Sequence, residues 1–281
     1  MENSFTRIEN IILQHGNRGI ETVKQALADG YCKRAAELVI KNKGTVLIGT
    51  GFPAAGSFEN DGPIGAIALY KVLKTLGYNP VFVFAPPILY ALKQHYKTFE
   101  FPALPVDESR PLAKKALTEL SPSLIISIEK AGIAEDGKYY SMRKKEITSL
   151  VAKYDLFFDL CTCPTIAVGD GGNEIGMGNV KDNLNKLPII PSVTKCTELV
   201  IATVSNWGAY GIIAALSLLL QKNLFVHFDA VDIMDFLLDN GSVDGVNHLK
   251  NYTEDGLPFE TGLSVIAELK NIVNNNLSTL N

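Results

Sequence analysis

Apolar residues fall along this chain in two alternating rhythms. Short runs rich in β-branched and aromatic residues read as buried strands: Gly44–Gly49, Asn79–Phe84, Phe99–Leu104, Ser123–Ile128, the run from Thr165 to Val168, and Thr197–Ser205. Between them lie segments with apolar positions at helical spacing: Ile64–Leu76, Pro86–Tyr96, Pro111–Leu120, Glu146–Phe158, Ala209–Leu220, Asp229–Leu238 and Thr261–Val273. Residues 5–42 read as a helical lead-in, with Phe5, Ile8, Ile11 and Ile12 on one stripe and Gly16 and Gly30 as punctuation. The last eight residues are expected to fray. Strands alternating with helices predict an α/β fold: three layers, a mainly parallel sheet with helices on both faces, Rossmann-like. The expectation is a single α/β domain over residues 1–281, with residues 1–43 as a helical N-terminal extension packed on it.

Polar residues interrupt this pattern most sharply where strands end. After Val168 five glycines fall within ten residues, Gly169, Gly171, Gly172, Gly176 and Gly178, with Asp170, Asn173 and Glu174 threaded between them. Glycine lets backbone N–H groups approach a ligand closely, and the carboxyl edge of a parallel sheet is where such folds bind ligands. Three other junctions share the feature. Thr50 to Asp61 carries Gly51, Glu59 and Asp61, and Pro63 then opens a helix. Glu129 and Lys130 follow the strand at Ser123–Ile128, with Arg143 further on. Ser205 and Asn206 stand between the strand at Thr197 and the next helix. In a parallel sheet all four junctions point the same way and can converge on one cleft. Each also has a plain structural reading: Asp61 as a helix cap, Glu129-Lys130 as the chain's return to water, and Trp207 as core. Glu59, two residues before Asp61, calls for a further reason, and a ligand or cation supplies one. Arg18, between two loop-like glycines, is a candidate to reach the cleft, although a surface position explains it better.

Gly49-Thr-Gly51-Phe-Pro-Ala54 fits the G-x-G-x-x-A dinucleotide fingerprint in letters only. The fingerprint needs a helix to start at once, and here Pro53 and further loop residues intervene. No nicotinamide cofactor is therefore expected.

Composition narrows the class. The 281 residues are 47% hydrophobic and 20% charged, with a net charge of −4. That balance supplies no basic field for nucleic acid or an anionic membrane. The start has no signal pattern, and the longest apolar run, Ile212–Leu220, is too short to span a bilayer. A cytoplasmic protein is expected. Cys32, Cys161, Cys163 and Cys196 form no disulfide framework, and the four histidines make no H-x-x-x-H pair, so neither a disulfide scaffold nor a zinc enzyme is expected.

With these junctions in view, the chain resembles the C-terminal domain of the D-glutamate cyclase family and stand-alone bacterial proteins similar to it. The resemblance rests on Glu59-x-Asp-Gly-Pro-x-Gly-Ala66, Glu129-x-Ala-Gly132, Asp136-Gly-x-Tyr-Tyr-x-Met-Arg143, Gly169-Asp-Gly-Gly-Asn-Glu-Ile-Gly-Met-Gly178, Val204-Ser-Asn-Trp-Gly-x-Tyr210 and Asp255-Gly-Leu-Pro-x-Glu260. It implies a lyase that converts D-glutamate to 5-oxo-D-proline and water. The family's full-length protein joins this part to a hydro-lyase-like N-terminal part, so the resemblance also implies a separate hydro-lyase-like partner.

Such a ring closure needs a base for the amine, an acid for the departing oxygen and donors for the oxyanion. Glu129 and Glu174 are the acid/base candidates, with Asp170 beside them. The Gly171 and Gly172 N–H groups form the candidate oxyanion cradle, and Lys130 or Arg143 is the candidate carboxylate clamp. Gly51, Asp61, Asn173, Ser205 and Asn206 complete the expected substrate-binding set. A second reading gathers Asp61, Glu129, Asp170 and Glu174 around a divalent cation or a metal–phosphate ligand, with Asp61, Asp170 and Glu174 as the metal set and Mg²⁺ or Mn²⁺ as the ion. A third makes the chain a non-catalytic partner of a separate hydro-lyase. A homo-oligomer fits any of the three.

Overall fold

The computed structural model describes residues 3–16 and 19–278; Arg18 lies outside the described residues. Its centre is a six-stranded sheet built from β1 (Thr45–Thr50), β2 (Asn79–Phe84), β3 (Thr98–Glu100), β4 (Leu124–Ile128), β5 (Thr165–Gly169) and β6 (Glu198–Ile201). The strands lie in the order β3-β2-β1-β4-β5-β6, and every pairing is parallel. β4 and β5 are buried along their whole length, as parallel strands covered on both faces must be. The order runs outward from β1 in both directions, so the reversal falls between β1 and β4. Crevices for ligands open at such a switch point, outside the carboxyl ends of the strands. β1 and β4 pair in register from Val46↔Leu124 to Thr50↔Ile128. Gly51 and Glu129 therefore leave the sheet side by side.

The helices are α1 (Ser4–Ile12), α2 (Ile20–Lys24), α3 (Tyr31–Lys41), α4 (Pro63–Thr75), α5 (Ile88–Leu92), α6 (Val106–Leu120), α7 (Asp155–Leu160), α8 (Lys181–Leu184), α9 (Ser205–Leu220), α10 (Ala230–Asp239) and α11 (Phe259–Ser278). α9 is apolar on every side and buried from Ser205 to Ser217, which places it inside its layer rather than on it. It packs against α1, α3, α4 and α11, while α6 and α7 pack together on the other face of the sheet. Close approach depends on glycine: a Cβ on Gly208 would stand 2.4 Å from Val168 Cγ1, and one on Gly65 in α4 would stand 2.9 Å from Asn206 Cα. The lead-in is tied into this layer. Cys32, Ala35, Ala36 and Val39 of α3 are fully buried, and the buried Glu9 carboxylate of α1 accepts the Gly30 and Cys32 N–H groups at 2.8 and 2.9 Å.

The expected elements differ from the observed ones in several places. The lead-in is three helices, not one run. Residues 146–158 do not form one helix. Ile147 N–H donates to Tyr139 O at 2.8 Å, and the buried Lys153 Nζ donates to the carbonyls of Thr148 and Val151; this tertiary pairing overrides the helical spacing, and α7 starts only at Asp155. α9 begins at Ser205 rather than Ala209, so Ser205 and Asn206 are first-turn residues. α11 continues to Ser278, into the eight residues expected to fray.

Among the described residues, no helix is long and apolar enough to cross a membrane.

Candidate active site

Asp61 was expected to cap the helix that follows it. Its Oδ1 does accept the adjacent Gly62 N–H at 2.8 Å. The same oxygen accepts the Asn206 N–H at 2.9 Å, and Oδ2 accepts the Ser205 N–H at 3.1 Å. The carboxylate thus satisfies free donors in the first turn of α9, a helix from the far end of the sheet. Asn206 is itself fully engaged. Its Oδ1 accepts Gly65 N–H at 2.8 Å and its Nδ2 donates to Glu254 Oε2 at 2.9 Å.

Glu129 is the first residue after β4 and holds φ +46°. A non-glycine side chain in that region costs on the order of 1 kcal/mol or more and persists where surrounding structure enforces it. Here Ser205 Oγ donates to Glu129 Oε2 at 2.6 Å. Gly62 closes on the same spot with φ +88°; a Cβ there would stand 2.6 Å from both Glu129 Cβ and Thr50 Oγ1. The Thr50 hydroxyl is buried, without a hydrogen-bond partner, against that gap.

Asp170, first after β5, completes a group. One carboxylate oxygen each from Asp61, Glu129 and Asp170 lies within 4.8 Å of the others. All three are buried, and Glu129, at 7% exposed, is the most open. Burial raises the Glu129 carboxyl well above its ordinary range, and the charges of Asp170, Glu174, Asp61 and Glu59 push it the same way. Three acids from the ends of different segments thus crowd one site, and the crowding raises the Glu129 carboxyl.

Glu174 is wholly buried beside this group but differently employed. Its Oε1 accepts Gly171 N–H at 3.0 Å and its Oε2 accepts Gly172 N–H at 2.7 Å. The expected oxyanion cradle is thus filled by the loop's own carboxylate. Asn173 donates from Nδ2 to Tyr140 O at 2.9 Å, and its buried Oδ1 has no partner. Lys130 turns away from the acids: its Nζ donates to Gly51 O at 3.2 Å. Burial lowers its pKa to about 8, with Asp155 pulling upward and Lys153 downward. Arg143 is exposed and donates to Val246 O at 2.7 Å.

Glu254 escaped the sequence reading. It is fully buried and accepts Trp207 Nε1–H at 2.8 Å as well as Asn206 Nδ2. Burial pushes it up to about 8, against those two hydrogen bonds. The only signal was an acid at the start of the turn Thr253-Glu-Asp-Gly; its partners lie in another segment.

A profile of the family described as D-glutamate cyclase-like, C-terminal, matches residues 8–270. The chain belongs to this family. It is 33% identical over 240 residues to human mitochondrial D-glutamate cyclase, a match that covers 75% of this chain and 38% of that protein. The family chain therefore spans well under half of that relative. A solved structure of an exopolyphosphatase-related protein from Bacteroides fragilis superposes with a TM-score of 0.38 at 8% identity, over 89% of this chain and 60% of that one.

Proposed function

We propose that this family member is a carbon–oxygen lyase of the D-glutamate cyclase type, closing D-glutamate to 5-oxo-D-proline with loss of water. The observation that carries this reading is the convergence of Asp61, Glu129 and Asp170 at the strand switch point, together with the family relationship. In the reaction the neutral amine attacks the γ-carboxyl carbon, the N–C bond forms, and the C–O bond breaks. D-Glutamate enters as an ammonium and a γ-carboxylate; the nitrogen gives up two protons in all and the departing oxygen takes two, so water leaves and the proton count closes without another reagent. Glu129, whose carboxyl burial and its acidic neighbours raise well above the ordinary range, serves as the acid. Asp170, beside it in the cluster, serves as the base. Glu174 holds the Gly171–Gly172 turn that carries Asp170, and Asp61 holds α9 in place.

The test uses the purified chain alone, because the match covers 38% of the human protein. Incubation with D-glutamate and chiral chromatography should give 5-oxo-D-proline, and Glu129→Gln should abolish it. No product from the wild-type chain would overturn the reading.

A second reading, a divalent-cation site, is favoured by the same three carboxylates and the unpartnered Thr50 hydroxyl beside them. Mg²⁺ or Mn²⁺ at a hundred times its Kd would then stabilise the fold by about 2.7 kcal/mol. An unchanged melting temperature with both ions would rule it out.

A further inference from the structure

The loop after β4 divides the site in two. Glu129 goes to α9, whereas Lys130, Ile133 and Tyr139 go to the other face of the sheet, where α6 and α7 lie. There a cavity of about 500 Å³ opens between α6, α7 and the strand-like segment Val193–Lys195. None of its lining residues belongs to the acid cluster.

The wall of this cavity is chemically mixed. Ile133, Leu156 and Phe158 make it apolar on one side. Arg110 and Lys195 bring two cations to it, and Asp155 and Asp159 two acids. Arg110 gives Nη1–H to Asp159 Oδ2 at 3.1 Å, which leaves most of its five donors for a guest. Thr194 also lines the cavity, and its hydroxyl is buried without a partner. At the base Tyr139 Oη donates to Asp155 Oδ1 at 2.6 Å, both side chains being buried.

We propose that this cavity is a binding site for a small carboxylate with an apolar body, separate from the acid cluster. Arg110 and Lys195 take the carboxylate through charge-assisted hydrogen bonds, and Ile133, Leu156 and Phe158 take the body. A bare inorganic anion would leave the apolar wall uncovered, and a neutral apolar molecule would leave the two cations unused. The Ile133 N–H also hydrogen-bonds Asp155, so a guest here touches the loop that carries Glu129.

Titration calorimetry with butyrate, 5-oxo-D-proline and inorganic phosphate tests this on the full chain. Saturable binding of at least one of the two carboxylates, weakened about tenfold or more in the Arg110→Ala/Lys195→Ala double variant and unchanged in Glu129→Gln, is the expected result. Ile133→Trp, which fills the cavity from a half-buried position, should abolish it. No saturable binding of either carboxylate, binding of phosphate alone, or binding lost in Glu129→Gln but kept in the double variant would overturn the proposal. Because Glu129→Gln separates the two sites, loss of lyase activity and loss of cavity binding are read independently.

Discussion

Asp61 and Ser205 stand 144 positions apart in the chain, and Asp61 Oδ2 accepts the Ser205 N–H at 3.1 Å. With the Gly62 and Asn206 N–H groups on its other oxygen, this one carboxylate joins the loop after β1 to the start of α9. Its charge also sits where a helix N-terminus is positive. Asp61→Ala strips acceptors from three buried donors and should lower stability by about 1–3 kcal/mol. Asp61→Asn should cost less, since its amide keeps one accepting oxygen. Urea unfolding midpoints measure both. An unchanged midpoint for the alanine variant would show that the anchor contributes nothing.

The Ser205 hydroxyl on Glu129 Oε2, at 2.6 Å, favours the charged form of a carboxyl that burial and neighbouring acids push upward. Ser205→Ala should therefore raise the Glu129 pKa further. If Glu129 is the acid in cyclisation, the descending limb of the pH–rate profile moves to higher pH, by up to about one unit. If it is the base, the ascending limb moves instead. A profile that only drops in height, with both limbs fixed, would remove Glu129 from proton transfer.

Glu174 and Glu129 should separate under the same substitution. Glu174→Gln keeps one acceptor for the Gly171 and Gly172 N–H groups and turns an N–H₂ group toward the other, at a cost of about 1–3 kcal/mol. Stability and turnover should fall together, because that turn carries Asp170. Glu129→Gln should lower turnover by roughly 100-fold or more while the unfolding midpoint holds. Paired urea titrations and product assays decide the matter. Lost turnover at an unchanged midpoint in Glu174→Gln would make Glu174 a participant in the chemistry.

These roles show where sequence reasoning reaches and where it stops. The α/β alternation was readable because parallel strands buried on both faces are continuous apolar runs, and β2, at Asn79–Phe84, was bounded to the residue. That Asp61, Glu129 and Asp170 meet followed from strand ends pointing one way. Which donors each acid takes did not. Asp61 as a cap was legible from its place before Pro63, but its second helix starts at Ser205, and no local pattern encodes a partner that remote. Glu174 presents the same letters whether its carboxylate faces a substrate or folds back on Gly171 and Gly172. Glu254 lay in an ordinary turn sequence, and only the packing of Trp207 and Asn206 buries it. The residues 146–158 misled for a related reason: their apolar spacing suits a helix, yet Ile147 pairs with Tyr139 and Lys153 is drawn inward.

The buried carboxyls also set how the fold responds to pH. Burial raises Glu254 from 4.5 to about 8 and Asp155 from 3.8 to about 6, and Glu129 stands well above its ordinary value. A raised carboxyl binds its proton more tightly in the folded chain than in the unfolded one. Its contribution is present in full below the ordinary pKa and is lost as pH rises through the folded value. Lys130, lowered from 10.5 to about 8, acts in the opposite sense. It is protonated in both states up to that point and relieves its burial only above about pH 8. Between about pH 5.5 and 7.5 the carboxyls alone should act, and stability should fall by about 1–3 kcal/mol. Urea midpoints at the two pH values measure the fall. Glu254→Gln, which cannot titrate, should flatten part of it while lowering stability at pH 5.5, since its amide faces the Asn206 N–H₂ group. A midpoint that rises from pH 5.5 to 7.5 in the wild-type chain would mean that these acids are ionised in the folded protein, held so by a bound cation or by water that reaches them.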